Sequence, residues 1–137
     1  MNQTENRRVG SVRELNVYKT SFDTAMKIFE ISKQFPIEER YSLTDQIRRS
    51  SRSVCANLSE AWRKRKYKAA FINKLTDCEQ EAAETQTWLE FAMRCNYIDS
   101  KTFNDLDEKC EHIFAMLITM ERKCEEFCKD TSHLNLL

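Results

Sequence analysis

An all-α fold, an antiparallel up-and-down four-helix bundle, is what this sequence predicts, and three observations predict it. The 137-residue chain contains one Gly and one Pro, which leaves too little turn chemistry for a sheet with many tight turns and suits long uninterrupted helices. Four apolar runs recur at helical spacing, with short polar connections between them. The length fits one domain able to bury a core without staples and leaves no room for two ordinary domains.

Residues 1–11 are polar, hold the only Gly and read as a flexible leader, so that structure begins near Val12. In the first helix, from Val17, the positions Tyr18, Phe22, Ala25, Met26, Phe29 and Ser32 recur at helical spacing and form the expected inner face. The helix ends at Phe35-Pro36, because proline disfavours helical geometry at the residue before it. Ser42-Leu43-Thr44-Asp45 opens the second helix, the Ser42 oxygen accepting from a first-turn N–H and the acid suiting the N-terminal dipole. Its inner stripe is Leu43, Ile47, Ser50, Val54, Leu58 and Ala61, bordered by Cys55 and Trp62, and its small residues permit close approach of a neighbour.

Beyond the basic segment Arg63 to Lys68, the third run repeats Phe71, Leu75, Cys78, Ala82, Thr85, Leu89 and Ala92 in steps of four and three, a bundle seam. Asn96, Asp99 and Ser100 supply a turn and an N-cap. The fourth run, Phe103, Leu106, Cys110, Ile113, Leu117, Met120, Cys124 and Phe127, has the cleanest period and should lie antiparallel to the third. The bundle thus spans residues 12–130, and a tail at 131–137 has no period.

Lys plus Arg and Asp plus Glu both number 22, so no net field draws the molecule toward nucleic acid or an acidic surface. The charges are nevertheless segregated. Between Arg48 and Lys74 stand nine bases, Arg48, Arg49, Arg52, Arg63, Lys64, Arg65, Lys66, Lys68 and Lys74, against one acid, Glu60. Asp77, Glu79, Glu81, Glu84 and Glu90 follow with no base among them. A basic ridge carrying Trp62 and Tyr67 suits phosphate neutralisation with aromatic stacking, as single-stranded nucleic acid requires. The plain alternative is a solvated helix end, with Trp62 a packing residue.

A second feature is surplus apolar surface. Trp88, Phe91 and Cys95 stand one residue before the seam positions Leu89, Ala92 and Asn96 and so point about 100° away from it. Phe114 and Ile118 flank the fourth seam. Trp88, Phe91, Phe114 and Ile118 therefore either widen the core or form a subunit interface.

Six cysteines would suit a disulfide framework, but no signal-peptide-like stretch or membrane-length apolar run accompanies them. The expectation is a cytoplasmic protein with reduced thiols, no membrane association and no cofactor. Cys78, Cys110 and Cys124 lie on seams and act as small hydrophobes. Cys124 with Cys128, or Cys110 with His112, lacks the second pair that a tetrahedral zinc site needs. His112 and His133 are the only imidazoles, and neither has an evident nucleophile and orienting partner. Glu108 and His112 share a helix face as a surface pair. No Glu-x-x-His occurs, so a di-metal bundle enzyme is not expected either.

The segments Leu43-Thr44-Asp45-Gln46-Ile47-Arg48-Arg49 and Val54-Cys55-Ala56-Asn57-Leu58-Ser59-Glu60-Ala61 resemble the four-helix-bundle or 23S ribosomal RNA intervening-sequence protein family. Val12-Arg13-Glu14-Leu15-Asn16-Val17-Tyr18, Gln34-Phe35-Pro36 and Trp88-Leu89-Glu90-Phe91-Ala92 before Tyr97-Ile98 extend the resemblance nearly end to end. Many members carry Ile-Pro at Val54-Cys55 and Gly at Ala61; their absence predicts an unbroken second helix. The stretch Trp62-Arg63-Lys64-Arg65-Lys66-Tyr67 is similar to a branch that also carries Ala-Glu-Thr-Gln, here Ala83-Glu84-Thr85-Gln86.

The resemblance implies a bacterial protein that assembles as a ring-like homopentamer. It also implies kinship with the accessory variability protein of diversity-generating retroelements, which binds a reverse transcriptase and nucleic acid. It carries no catalytic residue over. Gln46, Arg48, Arg49, Asn57 and Glu60 match the family pattern and are candidates for shared structural or binding work. The expected function is nonenzymatic binding of RNA or single-stranded DNA through Arg48, Arg49, Arg52, Arg63, Lys64, Arg65, Lys66 and Lys68. A protein–protein adaptor is the alternative.

Overall fold

The computed structural model describes residues 10–129. A 3₁₀ turn, Val12–Glu14, leads into α1 (Asn16–Ser32), and a second 3₁₀ turn, Ile37–Glu39, leads into α2 (Leu43–Arg63). Then follow α3 (Lys68–Arg94), α4 (Ser100–Arg122) and the short α5 (Cys124–Lys129). The leader before Gly10 and the tail 131–137 lie outside the described residues.

Each long helix packs on the one before it, and α4 returns against α1. Cross-helix contacts show the antiparallel sense. Between α2 and α3, Ser50 meets Thr85 at 2.8 Å, the Cys78 thiol lies 3.6 Å from the Val54 carbonyl and Lys74 meets Glu60 at 2.8 Å, one number rising as the other falls. Helix α2 runs unbroken through Val54, Cys55 and Ala61, as the missing Pro and Gly predict.

The core forms two apolar clusters. One gathers Val17, Val54, Leu58, Phe71, Leu75, Cys78, Ile113 and Leu117, among others. The other gathers Ile28, Phe35, Leu43, Ile47, Leu89, Leu106 and Cys110. A layer of small hydroxyl residues, Ser21, Thr24, Ser50, Ser51 and Thr85, all buried, stands between them. Ser50 and Thr85 hydrogen-bond to each other, and each hydroxyl also lies within reach of a carbonyl of its own helix, Ile47 at 3.4 Å and Glu81 at 2.9 Å.

The expected seams of α2 and α3 are buried throughout, but the inner face of α1 requires correction. Val17, Ser21, Thr24, Ala25, Ile28 and Ser32 point inward, while Phe22 and Met26 are each 48% exposed. Two of its three buried hydroxyls bond back to their own helix, Thr24 to the Thr20 carbonyl at 2.7 Å and Ser32 to that of Phe29 at 2.9 Å. Small side chains let α1 approach its neighbours closely, and the aromatics are left at its edge.

The start of α2 also differs. Ser42 makes no side-chain cap; its hydroxyl donates to Glu39 at 2.6 Å, and the same carboxylate accepts the Leu43 N–H at 3.3 Å. Its second oxygen accepts the Tyr97 hydroxyl at 2.9 Å, tying the α1–α2 and α3–α4 connections together. The hydrogen bond from Ser42, then that from Tyr97, holds the Glu39 carboxyl below its ordinary value. Asp99 does cap α4, accepting from Thr102 N–H at 2.7 Å, and Asn96 takes the left-handed conformation (φ 63°) in the turn before it. The fourth run breaks at Lys123, so Phe127 belongs to α5, where it packs on Phe71 and Trp62 with ring centroids 6.1 and 6.2 Å apart.

Candidate nucleic-acid interface

Helical spacing places Arg49, Arg52, Ala56, Glu60 and Arg63 on one exposed face of α2. The basic residues on and after this helix form two groups. Arg52 and Arg63 are eleven positions apart, about 17 Å along the axis. The lone acid between them, Glu60, is engaged by Lys74 at 2.8 Å.

The first group surrounds a concavity of about 550 Å³ lined by Arg40, Tyr41, Asp45, Arg48, Arg49 and Arg52, among others. Arg40 and Tyr41 follow directly on Glu39, whose triple engagement fixes the connection. Arg48 is held in place: its Nε donates to the Ser32 hydroxyl at 2.7 Å, and its guanidinium lies 4.7 Å from the Phe29 ring centroid. Arg52 lies over the same ring at 5.5 Å. The aromatics displaced from the core of α1 thus include the platform that orders two arginines of α2. Arg49 is exposed, with Glu81 of α3 near enough to influence it electrostatically.

The second group lies at the turn between α2 and α3 and is partly structural. The Arg65 guanidinium stacks 3.6 Å over the Trp62 ring, and its Nε donates to the Trp62 carbonyl at 2.9 Å. Trp62 is buried, a packing residue. Lys68 is ion-paired with Glu125 of α5. Arg63, Lys64 and Lys66 remain exposed, and Lys66 stands 5.4 Å over the Tyr67 ring. Among the described residues, Arg49, Arg52, Arg63, Lys64 and Lys66 have no ion-pair partner.

Two of the motif residues build the bundle. Asn57 donates to the Ser53 carbonyl at 2.9 Å and accepts from Lys74 at 3.1 Å, so Asn57, Glu60 and Lys74 join α2 to α3. Gln46 is half-buried. Gln86 reaches Asp107 at 3.0 Å and Glu111 at 2.8 Å on α4.

The four apolar candidates divide between two faces. Trp88 lies in helical register with Lys74 and Glu81, which face α2, and Phe91, 52% exposed, stacks near it at 5.9 Å. Ile118, 41% exposed, lies in register with Glu111, which faces α3. Phe114 packs against both core clusters, so it serves the broad core.

All six cysteines are free and four are buried. Burial pushes the Cys55 thiol up to about 11 and that of Cys110 up to about 12, which keeps both protonated and unreactive. Among the described residues, no group of three or more His, Cys, Asp or Glu is placed to hold a metal ion. No described helix is long and apolar enough to cross a membrane.

Arg40 and Tyr41 escaped sequence reasoning because they stand in a connection after Glu38 and Glu39, outside any basic run. Their adjacency to Arg48 and Arg52 comes from the Ile37–Glu39 turn lying against α2.

Residues 13–119 match the family model described as 23S rRNA-intervening sequence protein. Among solved structures, the chain is similar to a Bacteroides thetaiotaomicron VPI-5482 protein of unknown function from the S23 ribosomal protein family. The two are 32% identical, with a TM-score of 0.69, covering 77% of this chain and 97% of that one. No curated protein matches the chain.

Proposed function

This chain belongs to the 23S rRNA-intervening sequence protein family, and from that premise we propose that it is a nonenzymatic, homo-oligomeric protein that binds RNA or single-stranded DNA through the exposed basic face of α2 and the turn after it. The observation that carries this is the set of five exposed cations, Arg49, Arg52, Arg63, Lys64 and Lys66, without ion-pair partners among the described residues. A protein with as many acids as bases has the means to neutralise them internally, as it does for Lys68 and Lys74. Five exposed cations on α2 and the turn after it are suited to a polyanion.

Oligomerisation rests on a separate observation, and the ring of five subunits is what the family resemblance implies. Phe91 and Ile118 are large, exposed and on different faces, as a head-to-tail contact requires, because such a contact joins two unlike patches. A cytoplasmic location is part of the same proposal.

Gel retardation of single-stranded RNA and DNA by the purified protein tests the proposal, with retardation expected at low salt and lost as salt rises. Absence of retardation at low salt would reject nucleic-acid binding and leave the basic face to an acidic protein partner.

A further inference from the structure

We propose that the concavity at the start of α2 is a nucleotide subsite, in which Arg49 and Arg52 take a backbone phosphate and Tyr41 stacks the attached base. This deepens the nucleic-acid reading and rests on it. Tyr41 is 84% exposed, so its ring contributes little to the core. Arg40 approaches that ring with its guanidinium 5.8 Å from the centroid, and a planar ring has a second face. Four guanidinium groups line the concavity against one carboxylate, Asp45.

This combination selects a ligand that is both anionic and planar. Guanidinium groups bind phosphate oxygens through paired N–H donors, and an exposed aromatic face accepts any base. Arg48 is already held by Ser32 and Phe29, so it adds a fixed positive wall with no ordering cost on binding. Arg52, resting on the same Phe29 ring, is partly ordered as well.

The test compares a single-stranded oligouridylate with an oligonucleotide of the same length and charge built from abasic residues, using the full chain. Tyr41→Ala is expected to weaken binding of the oligouridylate about tenfold or more and to leave abasic binding unchanged. Tyr41→Phe is expected to retain wild-type affinity for both. Arg49→Gln with Arg52→Gln is expected to weaken both ligands and to flatten the slope of log affinity against log salt by about 1.4. All these side chains lie outside the core, so folding is not at stake.

If wild type binds the oligouridylate and Tyr41→Ala binds it equally well, the subsite is overturned while the broader nucleic-acid reading stands. An acidic peptide of equal charge that competes as well as the oligouridylate would also overturn it. No binding by wild type would remove both.

Discussion

Ser21 carries a buried hydroxyl with no protein partner, beside a void of about 10 Å³. An enclosed hydroxyl without a hydrogen bond costs about 1–3 kcal/mol, so Ser21→Ala should raise stability by about 1 kcal/mol. Ser50, in the same layer, is hydrogen-bonded to Thr85, and Ser50→Ala should lower stability by about 1 kcal/mol; urea unfolding distinguishes the two signs. Glu79 faces Glu121 across α3 and α4, and burial, then the hydrogen bond with Glu121, raises its carboxyl to about 7. The folded chain therefore retains a proton that the unfolded chain releases above its ordinary 4.5. This contribution to stability is fully present below the unfolded value and is lost as pH rises through about 7. Glu79→Gln, which imitates the protonated form, should stabilise the protein by about 1 kcal/mol at pH near 8 and change little at pH near 4. Melting curves at the two pH values check this, and equal effects at both would contradict it.

At the scale of the elements, legibility followed side-chain size. The seams of α2, α3 and α4 were readable because Leu, Ile, Phe and Val mark them. The inner face of α1 was not, because it buries Ser21, Thr24 and Ser32 while Tyr18, Phe22 and Phe29 imitate an apolar stripe beside it. The basic segment was equally visible, but the division of labour within it was not: nothing in the spacing says that Arg65 would rest on Trp62 or that Lys68 would meet a helix more than fifty residues later. The break at Lys123 escaped for a related reason, since the apolar period runs through it to Phe127. Phe127→Ala should cost about 2 kcal/mol, because its ring packs against Phe71 and Trp62. Amide exchange should then quicken selectively in α5; unchanged exchange there would show that the short helix is held some other way.

The whole molecule balances its charge while separating it, with basic residues along α2 and the following turn and acids such as Glu84 and Glu90 exposed on α3. Phe91→Glu should dissociate the proposed ring, since it sets a charge without a partner into an apolar contact. Light scattering would report the loss of mass, and a wild-type monomer at every concentration would reject the ring itself. Nucleic-acid binding is best tested with Arg65 left intact because of its packing on Trp62. The most direct measurement is the affinity for single-stranded RNA across a salt series, for wild type and for Arg63→Gln with Lys64→Gln and Lys66→Gln. Wild-type affinity should fall linearly in log salt, and the triple substitution should weaken binding and flatten the slope by about 2, at about 0.7 per phosphate contact. A wild-type protein with no affinity at low salt, or a triple variant with the wild-type slope, would contradict the assignment of these cations to phosphate.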